Sequence, residues 1–231
     1  GSGLGLDSSG YAMEEALHRA LSYSPKFSPL TIDGVAKVLV AGAVGGFPGL
    51  NPKTDYANVE MLIYVGTNPM VSHAHNTGMF NPAVWIKAAA RRGEVWTIDP
   101  LFTETAKLST RHIAAYPGKD YAILAWLVRE IIDGGPLDAQ QPVHGLDELR
   151  AALQGLDRAT AAEIAGVPEQ DLEDLLAAIR RKGKVVVETG TGITMSAGAN
   201  LTQWFAWLLM ILTGAMNRTG RACFPPGFLA P

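Results

Sequence analysis

"VEMLIYVGTNP", Val59 to Pro69, is the stretch on which the reading of the fold turns. An almost wholly apolar run stops at Gly66 and gives way to Thr-Asn-Pro. So short a run, without polar alternation, is the pattern of a strand buried on both faces of a parallel sheet. The sequence then becomes regular. "NPAVWIKAAARRG" reads as a helix that opens on Asn-Pro and closes at Gly93. "EVWTIDP" is the next buried strand, "FTETAKLS" a short helix and "HIAAYPG" a short strand. "KDYAILAWLVREIIDGG" is an amphipathic helix stopped by two glycines, and "KVVVETGTG" is the last buried strand, followed by a long apolar helix ending near Gly214. Strands alternating with helices predict right-handed βαβ units. The expected fold class is α/β: an open, mainly parallel, Rossmann-like sheet of about four to five strands with helices on both faces, plus a helical insertion around 146–182.

Outward from this centre the signals weaken. Residues 10–22 carry apolar side chains at helical spacing. "VAKVLVAGAVGG" fits a buried helix somewhat better than a strand. Gly1-Ser2 reads as an expression-vector scar, residues 1–9 as a disordered start and 10–231 as a single α/β domain. The missing initiator Met suggests a piece excised from a larger protein, and no signal peptide is seen.

Composition excludes several classes. The 231 residues have a net charge of −3 and scattered Lys and Arg, so no nucleic-acid groove is expected. The single cysteine, Cys223, rules out an internal disulfide or an all-cysteine cluster within these residues and suits a reducing compartment. The expected location is cytoplasmic, with the periplasm left open. "LTQWFAWLLMILTGAM" is too short to cross a bilayer and reads as a core helix, so no membrane insertion is expected.

In open parallel sheets ligands collect at the carboxyl ends of strands. The polar residues of this chain gather there. The four strands end in Gly66-Thr67-Asn68-Pro69, in Asp99-Pro100 with Thr103 beyond, in Pro117-Gly118-Lys119-Asp120, and in Thr189-Gly190-Thr191-Gly192. Free backbone N–H groups there suit phosphate, and a carboxylate suits a ribose diol or the N1/N2 edge of guanine. Strand-to-helix turns use Gly, Pro, Asn and Asp in any case; four of them on one edge describe a nucleotide-sized site. No G-x-G-x-x-G or P-loop stands at these turns, and Ser72 lies in no G-x-S-x-G elbow. His73 and His75 form an H-x-H pair, the start of a metal-dependent hydrolase site, but His18, His112 and His144 offer no further ligand at a strand's carboxyl end.

Taken in order, "LIYVGTNPMVSHAHNTGMFNP", "GEVWTIDPLFTETAKLSTRHIAAYPGKDYAILAWLVREII" and "TGTGITMSAGANLTQWFAWLLMILTGAMNRTG" resemble the molybdopterin oxidoreductase family. That family includes formate dehydrogenases, nitrate reductases and dimethyl sulfoxide reductase. Its members carry a G-x-N-P-x-x-S/T-H loop, a D-P-R-x-T-x-T-A run, a P-G-T-D turn and an L-T-G-N-x-G-x-x-G ending. The likeness runs from about Val59 to Gly220, and the ordered set is specific where no single motif is.

The resemblance implies a domain that holds the guanine dinucleotide part of one molybdopterin guanine dinucleotide, with molybdenum or tungsten in the parent enzyme. Val65, Gly66, Thr67, Asn68, Pro69, Met70 and Ser72 would line the pyrophosphate and pterin side. Asp99, Pro100 and Thr103 would contact the guanosine; Gly118, Lys119 and Asp120 would place the Asp on guanine. Thr191, Gly192 and Met195 would approach the pterin. The implied partners are the iron–sulfur and carboxyl-terminal domains of the parent enzyme and electron-transfer subunits, so these residues alone are expected to be inactive.

Two departures stand out. The family's Arg after D-P is Leu101, and Ile32 occupies the position nearest the family's Cys or selenocysteine metal ligand, between Thr31 and Asp33. No metal ligand or catalytic residue is therefore assigned. The rival readings are a cofactor-free relative of the kind found in a respiratory complex subunit, and the H-x-H hydrolase.

Overall fold

A computed structural model describes residues 8–224 apart from 23–24, 26, 28, 49, 75–77, 136–137 and 140–141. Helices α1 (Ser8–Ala20), α2 (Leu30–Asp33) and α3 (Val35–Gly45) come first. The ambiguous run at 35–46 is thus a helix, ended by Gly46 at φ 76°. Strand β1 (Lys53–Thr54) precedes β2 (Met61–Val65), all five of whose residues are buried. After the single turn α4 (Pro69–Ser72) come α5 (Pro82–Arg92), β3 (Glu94–Ile98), a 3₁₀ turn at Ala106–Leu108, β4 (Arg111–Ile113) and α6 (Asp120–Gly134). The expected helix at "FTETAKLS" is only that 3₁₀ turn, started by Thr103 Oγ1, which accepts the Ala106 N–H at 3.1 Å.

The insertion is α7 (Leu146–Ala152), α8 (Arg158–Ala165) and α9 (Glu169–Lys182); β5 (Val186–Thr189), α10 (Thr191–Thr194), α11 (Ala199–Leu212) and β6 (Ala222–Cys223) complete the order. Asp157 caps α8, accepting the Thr160 N–H at 2.8 Å from extended backbone. Asp157→Ala is expected to lower the thermal midpoint by about 2–4 °C, read by circular dichroism.

β2 lies inside a four-stranded sheet of order β4-β3-β2-β5, parallel throughout. The register sets Val65 beside Ile98 on one side and Thr189 on the other. Three strand ends, and the residues just beyond them, are therefore level. Apolar β2 residues explain this placement: Leu62, Ile63 and Tyr64 have no exposure, as a strand covered on both faces requires. α11 packs along α6, α3 and β5. A second, antiparallel sheet pairs Lys53 with Cys223; sequence reading did not contain it, because two-residue strands show no period. Asp55 secures it, its N–H donating to Arg221 O and its carboxylate accepting from Gly220 N, both at 2.8 Å. Among the described residues no helix is long and apolar enough to cross a membrane.

Candidate functional site

Level strand ends bring the turns together backbone to backbone. Gly190 N donates to Val65 O at 3.1 Å, and Gly192 N to Gly66 O at 2.9 Å. Gly66 sits at φ 55°, a left-handed conformation that favours glycine, and an added Cβ would lie 2.8 Å from Ile193 N. The crossing of the two turns is possible only because three glycines meet there. The N–H groups of Thr67 and Thr191 have no acceptor among the described residues and lie at this edge.

Asn68 is committed to holding neighbouring turns together. Its Oδ1 accepts from Thr105 Oγ1 at 2.7 Å and from Thr105 N at 3.3 Å, and its Nδ2 donates to Glu104 at 2.8 Å. Thr105 Oγ1 in turn accepts the Met70 N–H at 3.2 Å. Ser72 Oγ donates to Asn68 O at 3.1 Å. Thr105 and Glu104 were not singled out as site residues from sequence, although Thr105 stands at the second Thr of the D-P-R-x-T-x-T-A run. Pro69 is buried, starting α4.

A cleft of about 490 Å³ opens between these turns, lined by Gly66, Asp99, Pro100, Gly118, Lys119, Asp120, Gly192 and Met195 among others. It thus gathers eight of the residues singled out from sequence. Val65, Thr67, Asn68, Pro69, Met70, Ser72, Thr103 and Thr191 stand in the surrounding turns rather than in its wall. Gly118, at φ 73°, lets the third turn close against Ser196, whose Cβ would lie 2.9 Å from an added Cβ.

Electrostatically the cleft is acidic. Asp120 heads α6 and is 4% exposed, yet no other residue's side chain bonds to it among the described residues. Burial pushes its carboxyl up to about 6, its own backbone N–H opposes the shift, and the charge of Asp99 adds to it. Asp99 is half-buried and accepts the Leu101 N–H at 3.0 Å; burial raises it too, against that bond and His112. His112 Nε2 lies 2.8 Å from Asp99 O, with the Phe102 ring edge-on to it at 5.3 Å. Neither Asp forms an ion pair among the described residues, and Lys119 is the cleft's one cation there. Two carboxylates without counterions are costly unless a ligand brings hydrogen-bond donors.

The segment nearest the expected metal position, α2, packs against α10 at the cleft's rim. Ile32 is 60% exposed there. His73 is at φ 59° and its Nδ1 lies 3.1 Å from Met79 O, whereas His75 is outside the described residues. Among the described residues no three His, Cys, Asp or Glu side chains gather as metal ligands.

No family model matches the chain. The assimilatory nitrate reductase of Haloferax mediterranei is 28% identical over 151 residues, covering 64% of this chain and 20% of that protein. Formate dehydrogenase H of Escherichia coli is 22% identical over 179 residues, or 76% and 24% of the two chains. The periplasmic nitrate reductase of Desulfovibrio desulfuricans matches over 222 residues at 23% identity, 86% of this chain and 28% of its own length. The chain therefore spans between 20% and 28% of the length of these curated relatives, which are oxidoreductases. In fold it is similar to acetylene hydratase from Pelobacter acetylenicus, with a TM-score of 0.70 at 17% identity over 81% of this chain and 25% of that one.

Proposed function

We propose, from the premise that this chain belongs over its matched segment to the molybdopterin oxidoreductase family, that its carboxyl edge holds the guanine dinucleotide end of a molybdopterin cofactor. One observation carries the reading: Asp120, buried and without an ion-pair partner among the described residues, faces a cleft walled by Gly66, Gly118 and Gly192. Its carboxylate accepts the N1–H and N2–H of guanine, a pair of donors that adenine lacks. Asp99 takes the ribose hydroxyls. The N–H groups of Thr67 and Thr191, without an acceptor among the described residues, are neutral donors for phosphate oxygens, and Lys119 is the one cation among the described residues that line the cleft.

When bound, the cofactor supplies the dithiolene sulfurs that hold molybdenum or tungsten for oxygen-atom, hydride or electron-pair transfer. This chain's share is to bind and orient the nucleotide end. The parent protein acts as an oxidoreductase together with further domains or subunits that complete the cofactor's surroundings. The cofactor-free alternative leaves Asp99 and Asp120 uncompensated at a cost in stability, which favours a bound ligand. The H-x-H hydrolase gains nothing from His73, whose Nδ1 lies against Met79 O.

Calorimetric titration tests the reading. Guanosine and GDP are expected to bind to the isolated chain at least tenfold more tightly than adenosine and ADP. Equal affinity for both purines, or none for either, would remove the assignment.

A further inference from the structure

Behind the carboxyl edge lie a buried lysine and a partly buried glutamate that nucleotide binding does not use. Lys37 projects from α3, is 3% exposed, and its Nζ donates to the carbonyl of Thr189 at 2.6 Å. The residue before Thr189 is Glu188, whose carboxylate accepts hydrogen bonds from Thr54 Oγ1 and the Tyr56 hydroxyl. Burial draws the Lys37 ammonium down to about 8, against the opposing charge of Glu188. Burial also raises Glu188, opposed by Thr54, Tyr56 and Lys37. A small cavity of about 20 Å³ lies among Lys37, Thr54, Glu188, Thr189 and Gln203. That volume suits a single water.

A buried ammonium persists only where a counter-charge is near and its protons are bonded. Here the counter-charge and the acceptor are consecutive residues of β5. α3 follows directly from α2, which packs against α10 at the cleft's rim, and α10 begins two residues after Thr189. We propose that Lys37 is a positioning residue: its bond to the Thr189 carbonyl latches the α2–α3 segment onto the 189–195 turn, and Glu188 is the counter-charge that lets the ammonium be buried there. Only the turn's importance to nucleotide binding rests on the function proposed above; the latch stands on the backbone it holds.

The two parts separate in variants. Lys37→Met removes the bond and strands the Glu188 charge. Lys37→Met with Glu188→Gln removes the imbalance but leaves Thr189 without its donor. In urea unfolding, the double variant is expected to regain most of the stability lost by the single one. Amide exchange, followed by mass spectrometry, is expected to run about tenfold faster over residues 30–36 and 190–195 in the double variant than in the wild type, the worth of one charge-assisted bond. Leu172→Ala in α9, which lowers stability elsewhere, serves as the control and leaves local exchange in those segments unchanged. If Lys37→Met alone does not fold, the double variant carries the test. Wild-type exchange at 190–195 in the double variant overturns the latch. A double variant that is no more stable than the single one, or that fails to fold, overturns the charge pairing. A wild-type chain that ignores guanosine counts against the nucleotide site alone, because the exchange measurement needs no ligand.

Discussion

Asp120→Asn is expected to bind guanosine about 100-fold more weakly than the wild type at pH 8, and yet to be the more stable protein in the absence of ligand. The carboxylate offers two ionised acceptors to the guanine edge, whereas the amide offers one neutral acceptor and a donor that meets a donor. Losing two charge-assisted hydrogen bonds in a buried cleft is worth about two powers of ten. Stability moves the other way because the native carboxyl titrates at about 6 rather than near its ordinary 3.8. The sign follows from linkage. A carboxyl raised in the folded state favours folding fully below its unfolded value, and that contribution is lost as pH rises through about 6. Above that pH the wild type bears a cost on the order of 2–3 kcal/mol, which the amide removes. Urea titrations should show the variant's advantage at pH 8 shrinking as pH falls from 6 to 4.

Guanosine affinity of the wild type follows the opposite course. Only the ionised carboxylate accepts both guanine donors, so affinity is full above about 6 and falls by up to tenfold per pH unit below it. Asp99→Asn removes the like charge and is expected to move that midpoint down. Burial, the larger cause of the shift, remains, so the move is small. An affinity that is flat from pH 4.5 to 8 would show that Asp120 does not touch the ligand.

The parallel sheet was legible because β2, β3 and β5 are short segments rich in apolar and β-branched residues that each stop at a Gly or Asp. An apolar run of that length has few other places to go. Asp120 was legible for a related reason: an acidic residue at the head of an apolar helix, after Pro-Gly, marks a strand-to-helix turn. What lay beyond the sequence was everything set by pairing across the chain. Lys37 and Glu188 stand 151 positions apart, in a helix and a strand each read as buried, and nothing local says that the two come together. Asn68 matched a motif position, but sequence gave no sign that its amide would be tied to Glu104 and Thr105. The β1–β6 pair is similarly silent, being fixed by Asp55 reaching Gly220 rather than by strand propensity.

Gly190→Ala is expected to cost at least 3 kcal/mol of stability and to abolish guanosine binding in whatever folded fraction remains. The backbone at Gly190 is extended, at φ −128° and ψ −166°, so an alanine there carries no conformational strain. The obstacle is space. Its Cβ would lie 2.4 Å from Thr67 Cβ and 2.5 Å from Gly66 O. Both are well inside contact distance, and neither belongs to a flexible side-chain end. Relief needs the Gly66–Thr67 turn to move away by most of an ångström. That movement strains the bonds from Gly190 N to Val65 O and from Gly192 N to Gly66 O, and overpacking of this kind costs about 1–3 kcal/mol before hydrogen bonds are counted. Gly155→Ala is the matched control, because nothing lies within 4 Å of its added Cβ. It is expected to be neutral, or to stabilise by about 0.4–1 kcal/mol through the unfolded chain. Urea midpoints for the two variants, with guanosine titrations of each, separate a glycine needed for close approach from one that merely sits in a turn. Equal behaviour of the two would mean that the turns carrying Gly66 and Gly190 do not cross as described.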